Sequence, residues 1–468
     1  DAWGNGTCET AGDCAIKTLT ACDDGEPCTA DLCTAETSCE STPLAIPPCD
    51  DGDPCTVDQC GAPGQCTHVA ETAGCCVDGV AGVWQRRYGV PYSKILGVAS
   101  LADGGAAWVG TRAAAGAGQP DLWFARTDAT GKVVADQTWP GTDSQTSKTD
   151  GNYGGVAAGN GGFVLASKKN ADEVLLRRLD DKGLIVWQVI HKRPYSSGTN
   201  GNFSVGGVAA DTTGGWLTVG SWPTNYSKAM GFILRHDDSG AETWANYPTK
   251  GNPCPLLAVA AAKDGGAAAV GTDGNALVRR TATDGTTLWQ KAFGAKMNAA
   301  APGAIVATTG GYVVAGNTTS QNTSNQAWLL ALDESGQQVW LHQEGKSPKV
   351  IAGLAPLGAG LIAFAGSTNG VELGDNGWLG AVNTFGGLVW QRTIGGYNVD
   401  RFLAATATAQ GHLLLGGSSS SGGIGEEAWL VLADPWGNST CEQAGPCANQ
   451  PDDQCDDANP CTADTCTA

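Results

Sequence analysis

The stretch GYVVAG (residues 311–316), with AWLLALDESG (327–336) and QQVW (337–340) after it, is the clearest copy of a unit that fills most of this chain. Its apolar runs are short, and turns that contain Gly separate them, as expected of β-strands. Each unit predicts four short strands and ends on a Trp, and the units recur about every 50 residues. The recurring Trp positions are Trp84, Trp139, Trp187, Trp244, Trp289, Trp340 and Trp390. Tandem four-stranded units indicate the blades of a β-propeller.

Two kinds of turn accompany the Trp. An Asp-x-x-Gly turn lies ahead of most copies, at Asp128–Gly131, Asp180–Gly183, Asp237–Gly240 and Asp333–Gly336. A Gly-Gly turn lies further upstream, at Gly161-Gly162, Gly214-Gly215, Gly265-Gly266 and Gly310-Gly311. We interpret these positions as structural, with the Trp side chains packed between blades, because large aromatic residues dominate core burial.

The two ends of the repeated region predict how the ring closes. Residues 82–84 have the form of an outermost strand that no blade of its own precedes, whereas the last unit, through 428–432, lacks a fourth strand. We therefore expect residues 82–88 to complete the final blade. The chain would then enter and leave a seven-bladed ring on the same blade.

Composition and charge divide the chain into two kinds of material. Gly accounts for 68 of 468 residues and charged residues for 16%, a composition that disfavours helices. The net charge is −20, but residues 81–440 are balanced at 26 acidic and 26 basic side chains, so the excess lies in the two ends. This balance argues against nucleic acid as a partner. The apolar runs are too short for a membrane-spanning helix.

The ends are rich in cysteine and repetitive. CDDGEPCTADLC begins at Cys22, and CDDGDPCTVDQC follows 27 residues later at Cys49. Such small modules lack a hydrophobic core and need disulfides or bound metal ions to stay folded. The cysteine spacings do not fit the paired C-x-x-C of a zinc ribbon, so disulfides are favoured, in an oxidising compartment outside the cytoplasm. Spacing leaves the pairing open. The predicted disulfide cysteines are Cys8, Cys14, Cys22, Cys28, Cys33, Cys39, Cys49, Cys55, Cys60, Cys66, Cys75, Cys76, Cys441, Cys447, Cys455, Cys461 and Cys466.

Acidic residues in these modules are candidate calcium ligands, since carboxylate clusters suit hard cations. They are Asp23, Asp24, Asp31, Asp50, Asp51, Asp53 and Asp58. The alternative interpretation is a solvated acidic turn in which Asp-Gly serves the turn geometry. No other cofactor is required.

The start and the end of the chain are copies of one another. Residues 1–35 align with 434–468 at an offset of 433 without a gap, and 22 of the 35 positions are identical. The sequence ends before the counterpart of Cys39, so we expect the repeat to continue, in one long chain or between subunits. The predicted domains are a disulfide-stapled arm (1–80, with modules near 8–21, 22–48 and 49–76), the propeller (81–434) and the start of a next arm (435–468).

Recognisable catalytic motifs are missing. The histidines are scattered without ligand spacing, and there is no G-x-S-x-G elbow. Cys254 lies outside the cysteine-rich ends and makes the number of cysteines in one 433-residue repeat odd. It is either a plain buried residue or bonded to a neighbouring domain. Candidate glycosylation positions are Asn5, Asn202, Asn225, Asn317, Asn322 and Asn438.

The CDDGxPCTxDxC motif resembles cysteine-rich repeats of large secreted proteins from myxobacteria and related environmental bacteria. The Trp-ended units resemble Gly-rich repeats of the same proteins and, more distantly, PQQ-like propellers. In quinoproteins of that kind a turn similar to 180–187 and an adjacent cysteine pair accompany the cofactor. Here Cys75-Cys76 belongs to the arm, and the ring has seven units where that family has eight. The resemblance implies an extracellular or cell-surface protein.

The sequence therefore predicts an all-β chain. Its core is a seven-bladed β-propeller with four-stranded blades and non-sequential closure, with small disulfide-rich irregular modules at both ends. The leading functional hypothesis is a structural unit of an extracellular filament, made of further copies of itself and without enzymatic activity. One alternative is an adhesive or glycan-binding propeller on a stalk. The other is a secreted enzyme, either a quinoprotein or a glycan-cleaving propeller.

Overall fold

A computed structural model of the chain shows an all-β protein. It describes residues 83–439, apart from 89–90, 114–119, 140–152, 160, 171–172, 193–203, 224–228, 248–253, 273, 295–299, 319–325, 345–348, 371–373, 396–397 and 422–424, and the backbone of four short strands in the arm. Within this part of the chain no helix has the length and apolarity needed to cross a bilayer.

The arm contains two antiparallel hairpins. In the first, β1 (Thr29–Cys33) pairs with β2 (Cys39–Pro43), and in the second, β3 (Thr56–Cys60) pairs with β4 (Cys66–Ala70). The two hairpins have the same strand length and the same register, as the repeated sequence requires.

The ring consists of seven four-stranded antiparallel sheets, as predicted. Blade 1 comprises β6 (Lys94–Ser100), β7 (Ala106–Arg112), β8 (Asp121–Thr127) and β9 (Val133–Trp139). Blade 2 comprises β10 (Tyr153–Gly159), β11 (Gly162–Asn170), β12 (Glu173–Asp180) and β13 (Ile185–Lys192). Blade 3 comprises β14 (Ser204–Ala210), β15 (Trp216–Pro223), β16 (Ala229–His236) and β17 (Glu242–Asn246). Blade 4 comprises β18 (Leu256–Ala261), β19 (Ala267–Thr272), β20 (Ala276–Thr281) and β21 (Thr287–Phe293).

The last three blades follow the same pattern. Blade 5 comprises β22 (Ala300–Thr308), β23 (Gly311–Thr318), β24 (Ala327–Asp333) and β25 (Gln338–Gln343). Blade 6 comprises β26 (Lys349–Pro356), β27 (Ile362–Gly370), β28 (Gly374–Val382) and β29 (Leu388–Ile394), with a 3-10 turn at Gly358–Gly360. Blade 7 comprises β30 (Asp400–Ala407), β31 (Leu413–Ser419), β32 (Glu427–Ala433) and, from before blade 1, β5 (Trp84–Arg87).

The first strands of neighbouring blades lie side by side, and β30 contacts β6, so the seven sheets form a closed ring. Gly and Ala at these positions let the backbones approach closely. A Cβ atom on Gly97 would lie 2.9 Å from the Cα atom of Gly155, and one on Gly353 would lie 2.5 Å from the backbone nitrogen of Ala405. Close packing of the inner strands thus accounts for glycine at these positions.

The hydrophobic core lies between the blades. One cluster joins blades 4 and 5 through Val278, Tyr312 and Trp328, and another joins blades 7 and 1 through Trp108 and Leu430. Each sheet thus buries both faces against its neighbours, which explains the long apolar runs of central strands such as β23 and β24.

One predicted equivalence is wrong. In six blades the recurring Trp occupies the same position of the fourth strand, opposite the third-strand residue that lies two positions before the turn. In blade 2, for example, Trp187 pairs with Arg178. In blade 1 this position, opposite Arg126, is Ala135, and Trp139 lies four residues further along β9. Phe124 packs against the next blade's turn instead, since a Cβ atom on Gly183 would lie 2.9 Å from its ring.

Candidate functional site

The predicted ligands and modification sites fall mostly outside the described residues. Asp31 is on β1 and Asp58 on β3, whereas Asp23, Asp24, Asp50, Asp51 and Asp53 are not described. Asn5, Asn202, Asn225 and Asn322 also lie outside the described residues. The same holds for the predicted cysteines Cys8, Cys14, Cys22, Cys28, Cys49, Cys55, Cys75, Cys76, Cys441, Cys447, Cys455, Cys461 and Cys466. The described residues contain no group of three or more His, Cys, Asp or Glu side chains that could hold a metal ion.

The remaining asparagines are engaged in hydrogen bonds. Asn317 accepts the backbone N–H of Ile351 through Oδ1 at 2.9 Å, which ties blade 5 to blade 6. Asn438 donates from Nδ2 to Asp434 Oδ2 at 2.9 Å.

A turn between the third and fourth strands recurs in all seven blades. In each, the backbone N–H of the fourth residue donates to the carbonyl of the first, as from Gly131 to Asp128 and from Gly386 to Asn383. The side chain of the first residue usually accepts further N–H groups, as Asp237 does from Ser239 and Ala241. The hydrogen bond from the Ser239 hydroxyl, with those backbone bonds, lowers the pKa of Asp237. The Asp237 carboxylate therefore stays ionised, and its hydrogen bonds order the turn of blade 3.

Each of these turns packs against the Trp of the preceding blade, except in blade 2. A Cβ atom on Gly240 would lie 3.0 Å from the Trp187 ring, and one on Gly386 would lie 2.7 Å from the Trp340 ring. Only a residue without a side chain fits there. In four blades the indole Nε1 also donates to the carbonyl of the turn's second residue, namely Trp84 to Ala129, Trp187 to Asp238, Trp289 to Glu334 and Trp340 to Thr384, at 2.8–3.0 Å.

The residue two positions after the Trp adds a second bond, which sequence reasoning missed. Arg86 donates to the Thr130 carbonyl, Lys291 to that of Ser335, and Arg392 to that of Trp436. Alternation along a strand places these side chains on the same face as the Trp. The Trp, the donor and the turn together form what we call the latch between neighbouring blades. In the sequence, these donors are visible as a Trp-x-Arg or Trp-x-Lys pattern, which could have predicted them.

The ring closes through the most elaborate of these latches. β5 pairs with β32 in the predicted position, with Trp84 opposite Leu432. Trp84, Arg86 and Tyr88 then donate to three successive carbonyls of the blade 1 turn, those of Ala129, Thr130 and Gly131. Burial raises the pKa of the Tyr88 hydroxyl, which keeps it protonated as a donor. The segment that enters the ring therefore joins blade 7 to blade 1.

Ser93 strengthens the closure from the other end of β5. It is completely buried, its backbone N–H donates to the Glu426 carbonyl, and its hydroxyl accepts the Ala428 N–H at 2.8 Å. The Tyr88 N–H donates to the Ala428 carbonyl at 3.0 Å, so the bonding to blade 7 continues beyond β5 itself.

The segment that leaves the ring is fixed to blade 6. After β32, Asp434 Oδ1 accepts the backbone N–H groups of Trp436 and Asn438, and Arg392 Nε donates to the Trp436 carbonyl at 3.0 Å. A Cβ atom on Gly437 would lie 2.5 Å from the Trp390 ring. The chain thus enters and leaves within one blade, through latches on either side of it.

The ionisable groups that lie together in the ring are hydrogen-bonded to one another. Both ring nitrogens of His191 take part in hydrogen bonds, Nδ1 with Glu242 Oε2 at 3.0 Å and Nε2 with the Tyr247 hydroxyl at 3.1 Å. Arg235 pairs with Asp211 at 2.6 Å, and Arg280 pairs with Asp264 at 2.6 Å. The two arginine pairs link a third strand to a turn of its own blade, and His191 links blade 2 to blade 3.

Two further sequence observations have a structural outcome. Cys254 is completely buried, which favours the plain buried residue over a link to a neighbouring domain. The turn at 180–187 that is similar to a quinoprotein motif lies at the third-to-fourth-strand connection of blade 2, where Trp187 donates to the Asp238 carbonyl.

Comparisons with known families agree with the fold. Residues 229–418 match a PQQ-like family described as outer membrane protein assembly factor BamB. Residues 21–44, 48–70 and 454–468 match a family described as the Dictyostelium (slime mold) repeat. No curated protein matches the chain. The PQQ-like resemblance is thus supported over part of the ring, and the bacterial origin of the cysteine repeat stays a prediction.

Solved structures that are similar include the WD40 β-propeller domain of Doa1, at 11% identity and a TM-score of 0.45, covering 75% of this chain and 97% of that chain. The Dos1 propeller matches at 11% identity and a TM-score of 0.48, covering 77% and 97%. A protein of unknown function from Bacteroides caccae matches at 15% identity and a TM-score of 0.38, covering 65% and 94%. The chain contains a β-propeller with PQQ-like similarity.

Proposed function

We propose that the chain is a structural unit of an extracellular or cell-surface filament, in which propeller rings alternate with disulfide-stapled acidic arms. The observation that carries the proposal is the recurrence of residues 1–35 at 434–468, on the two sides of a ring whose chain enters and leaves on one blade. A ring attached in this way can be inserted into a repeating chain without disturbing its own closure. In this proposal the partners are further copies of the same unit, and the chain is not an enzyme.

The contacts within the ring support a mechanical role. Closure removes the free edges at which open sheets aggregate. A Trp ring packs against the turn of the next blade at six of the seven blade interfaces, and the segments that enter and leave the ring are held by such contacts. The net negative charge of the two ends is also consistent with a repeated unit that stays soluble at high local concentration, because like charges on neighbouring arms repel one another.

The test is the mass and the shape of native material. We expect electron microscopy to show rows of discs, and the reduced, denatured chain to have a mass of 47.6 kDa or one that rises in steps of the 433-residue period. A mass of 47.6 kDa would place the repeat between subunits, and a larger one within a single chain. Native material that consists only of dispersed single discs contradicts the proposal.

A second candidate function is adhesion to glycans. On one face of the ring lie the turns between strands one and two and between strands three and four, which are short and alike. On the opposite face lie the connections from strand two to strand three and from each blade to the next, which differ in length. Residues 140–152 join β9 to β10, and only 171–172 join β11 to β12. Variable loops on a rigid scaffold are typical of binding faces. Retention of the whole chain on a glycan array, lost on addition of the free sugar, supports this function, and an empty array contradicts it.

A further inference from the structure

Cysteines stand opposite one another in both arm hairpins. In the first, Cys33 ends β1 and Cys39 begins β2, and the register pairs these two residues. In the second, Cys60 ends β3 and Cys66 begins β4, and the register pairs them in the same way. Cysteine spacing leaves several pairings open. The hairpin register supplies the missing information.

Directly opposite residues of an antiparallel pair have Cα atoms about 4.5–5.5 Å apart. Disulfides require a Cα separation of roughly 4.4–6.8 Å, so both forms of cross-strand pair satisfy this condition. We propose that Cys33 is bonded to Cys39 and Cys60 to Cys66, so that each hairpin is closed by its own disulfide. The inference concerns the arm alone and holds whether or not the chain forms filaments.

The composition of the hairpins supports this pairing. An isolated two-stranded sheet is marginally stable in water unless a hydrophobic face packs against something. The strands of the first hairpin read TADLC and CESTP, with Leu32 as the single large apolar residue. A covalent bond at the base of a five-residue loop is therefore the available means of holding the two strands in register. A four-cysteine module that is closed on itself would then join Cys22 to Cys28.

Formation of each bond is balanced by reduction of an oxidant. The thiolate of one cysteine attacks the disulfide of a thiol–disulfide oxidant and forms a mixed disulfide, and the opposite cysteine then displaces the oxidant's sulfur. The two cysteines lose two protons and two electrons, and the oxidant's disulfide is reduced to two thiols.

The pairing has a mechanical consequence. A bond between residues 33 and 39 encloses only the loop 34–38, which is about 3.3–3.6 Å per residue when extended. Local bonds therefore remove little of the arm's reach under tension. Bonds between different modules would shorten the arm far more.

The test is a digest of the unreduced, full-length chain produced in an oxidising compartment. Cleavage before Asp31 and after Glu36 and Glu40 yields fragments 31–36 and 37–40, which contain Cys33 and Cys39 respectively. Cleavage before Asp58 and after Glu71 yields fragment 58–71, which contains both Cys60 and Cys66. We expect 31–36 to be joined to 37–40, and 58–71 to be unattached and two hydrogens lighter than its reduced form. Attachment of either cysteine to any other fragment, or free thiols at these positions, overturns the pairing.

Single substitutions provide an independent measurement. Cys33→Ser is expected to expose one new thiol, and alkylation followed by peptide mapping should place it at Cys39. Cys60→Ser should likewise expose Cys66. The matched variant Thr34→Ser, next to Cys33, should expose none. A label on Cys22 or Cys28 in Cys33→Ser contradicts the proposal, and the wild-type digest answers the question even if a variant fails to fold.

Discussion

At the scale of single residues, the latch depends on glycines that face a Trp ring. Gly386 has φ of +82°, and a Cβ atom there would lie 2.7 Å from the ring of Trp340. Gly411 has φ of +84°, but a Cβ atom there would meet nothing within 4 Å. The two positions therefore share the conformational strain of a positive φ and differ in the clash with the Trp.

We expect Gly386→Ala to destabilise the ring more than Gly411→Ala. Both lose about 1 kcal/mol to backbone strain, and overpacking against Trp340 adds roughly 1–3 kcal/mol at Gly386. Urea denaturation of the two variants beside the wild type measures the difference. Equal losses of unfolding free energy would mean that Trp340 moves aside freely and that the latch contributes little.

A second residue-scale prediction concerns His236, which is 1% exposed and, among the described residues, has a hydrogen-bond partner at neither ring nitrogen. Burial lowers the pKa of His236 to about 4, although Glu242 and Asp237 nearby raise it and His191 lowers it further. The unfolded chain binds this proton near pH 6.5, and the folded ring does so only near pH 4. Stability should thus fall as the pH drops between these values, by about 3 kcal/mol.

The variant His236→Gln should lose that pH dependence. The slope of its unfolding free energy against pH should be smaller than that of the wild type by the contribution of about one bound proton. The matched variant His412→Gln removes an imidazole elsewhere in the ring. A slope unchanged in His236→Gln would show that this side chain is hydrated or relocated on folding. The turn carboxylates, such as Asp128 and Asp333 with pKa values that hydrogen bonds lower, act only at more acidic pH.

At the scale of elements, the four-residue strand β5 determines whether the ring is closed. Gln85 lies opposite Val431 in the ladder with β32. We expect Gln85→Cys with Val431→Cys to form a cross-strand disulfide that locks the last blade. Such a bond closes a very long loop and can stabilise by about 2–4 kcal/mol.

Calorimetry of the double variant, oxidised and then reduced, measures this stabilisation. The wild type treated with the same reductant controls for the native cysteines, and the two single variants control for lost packing. A bond that forms without raising the unfolding temperature would mean that the ring unfolds first at another blade.

At the scale of the whole molecule, the points at which the chain enters and leaves the ring determine how the ring responds to force. The start of β5, at Trp84, lies opposite the end of β32, at Leu432, so both attached segments leave from the same end of this strand pair. Tension between them breaks the ladder bonds one after another. We expect single-molecule pulling through the chain ends to open blade 7 first, at low force, and the disulfide of Gln85→Cys with Val431→Cys to abolish that event.

An initial rupture that persists in the oxidised double variant would place the weak point elsewhere. In a filament, this response would let blade 7 yield while the other six blades stay folded, because none of their sheets contains β5.

Local sequence patterns were enough to predict the all-β class, the seven blades, the positions of the turns and closure by the segment before blade 1, where β5 lies. These follow from local periodicity and from Gly and Asp turns, which short segments encode without reference to distant ones. Sequence patterns could not show that Ala135, not Trp139, is the equivalent position in blade 1, because register depends on hydrogen bonds between strands. The same is true of the donors Arg86, Lys291 and Arg392, whose carbonyl partners lie in the next blade, about one repeat away in the chain. The opposition of Cys33 and Cys39 also required the pairing of strands, since spacing alone is compatible with every connectivity.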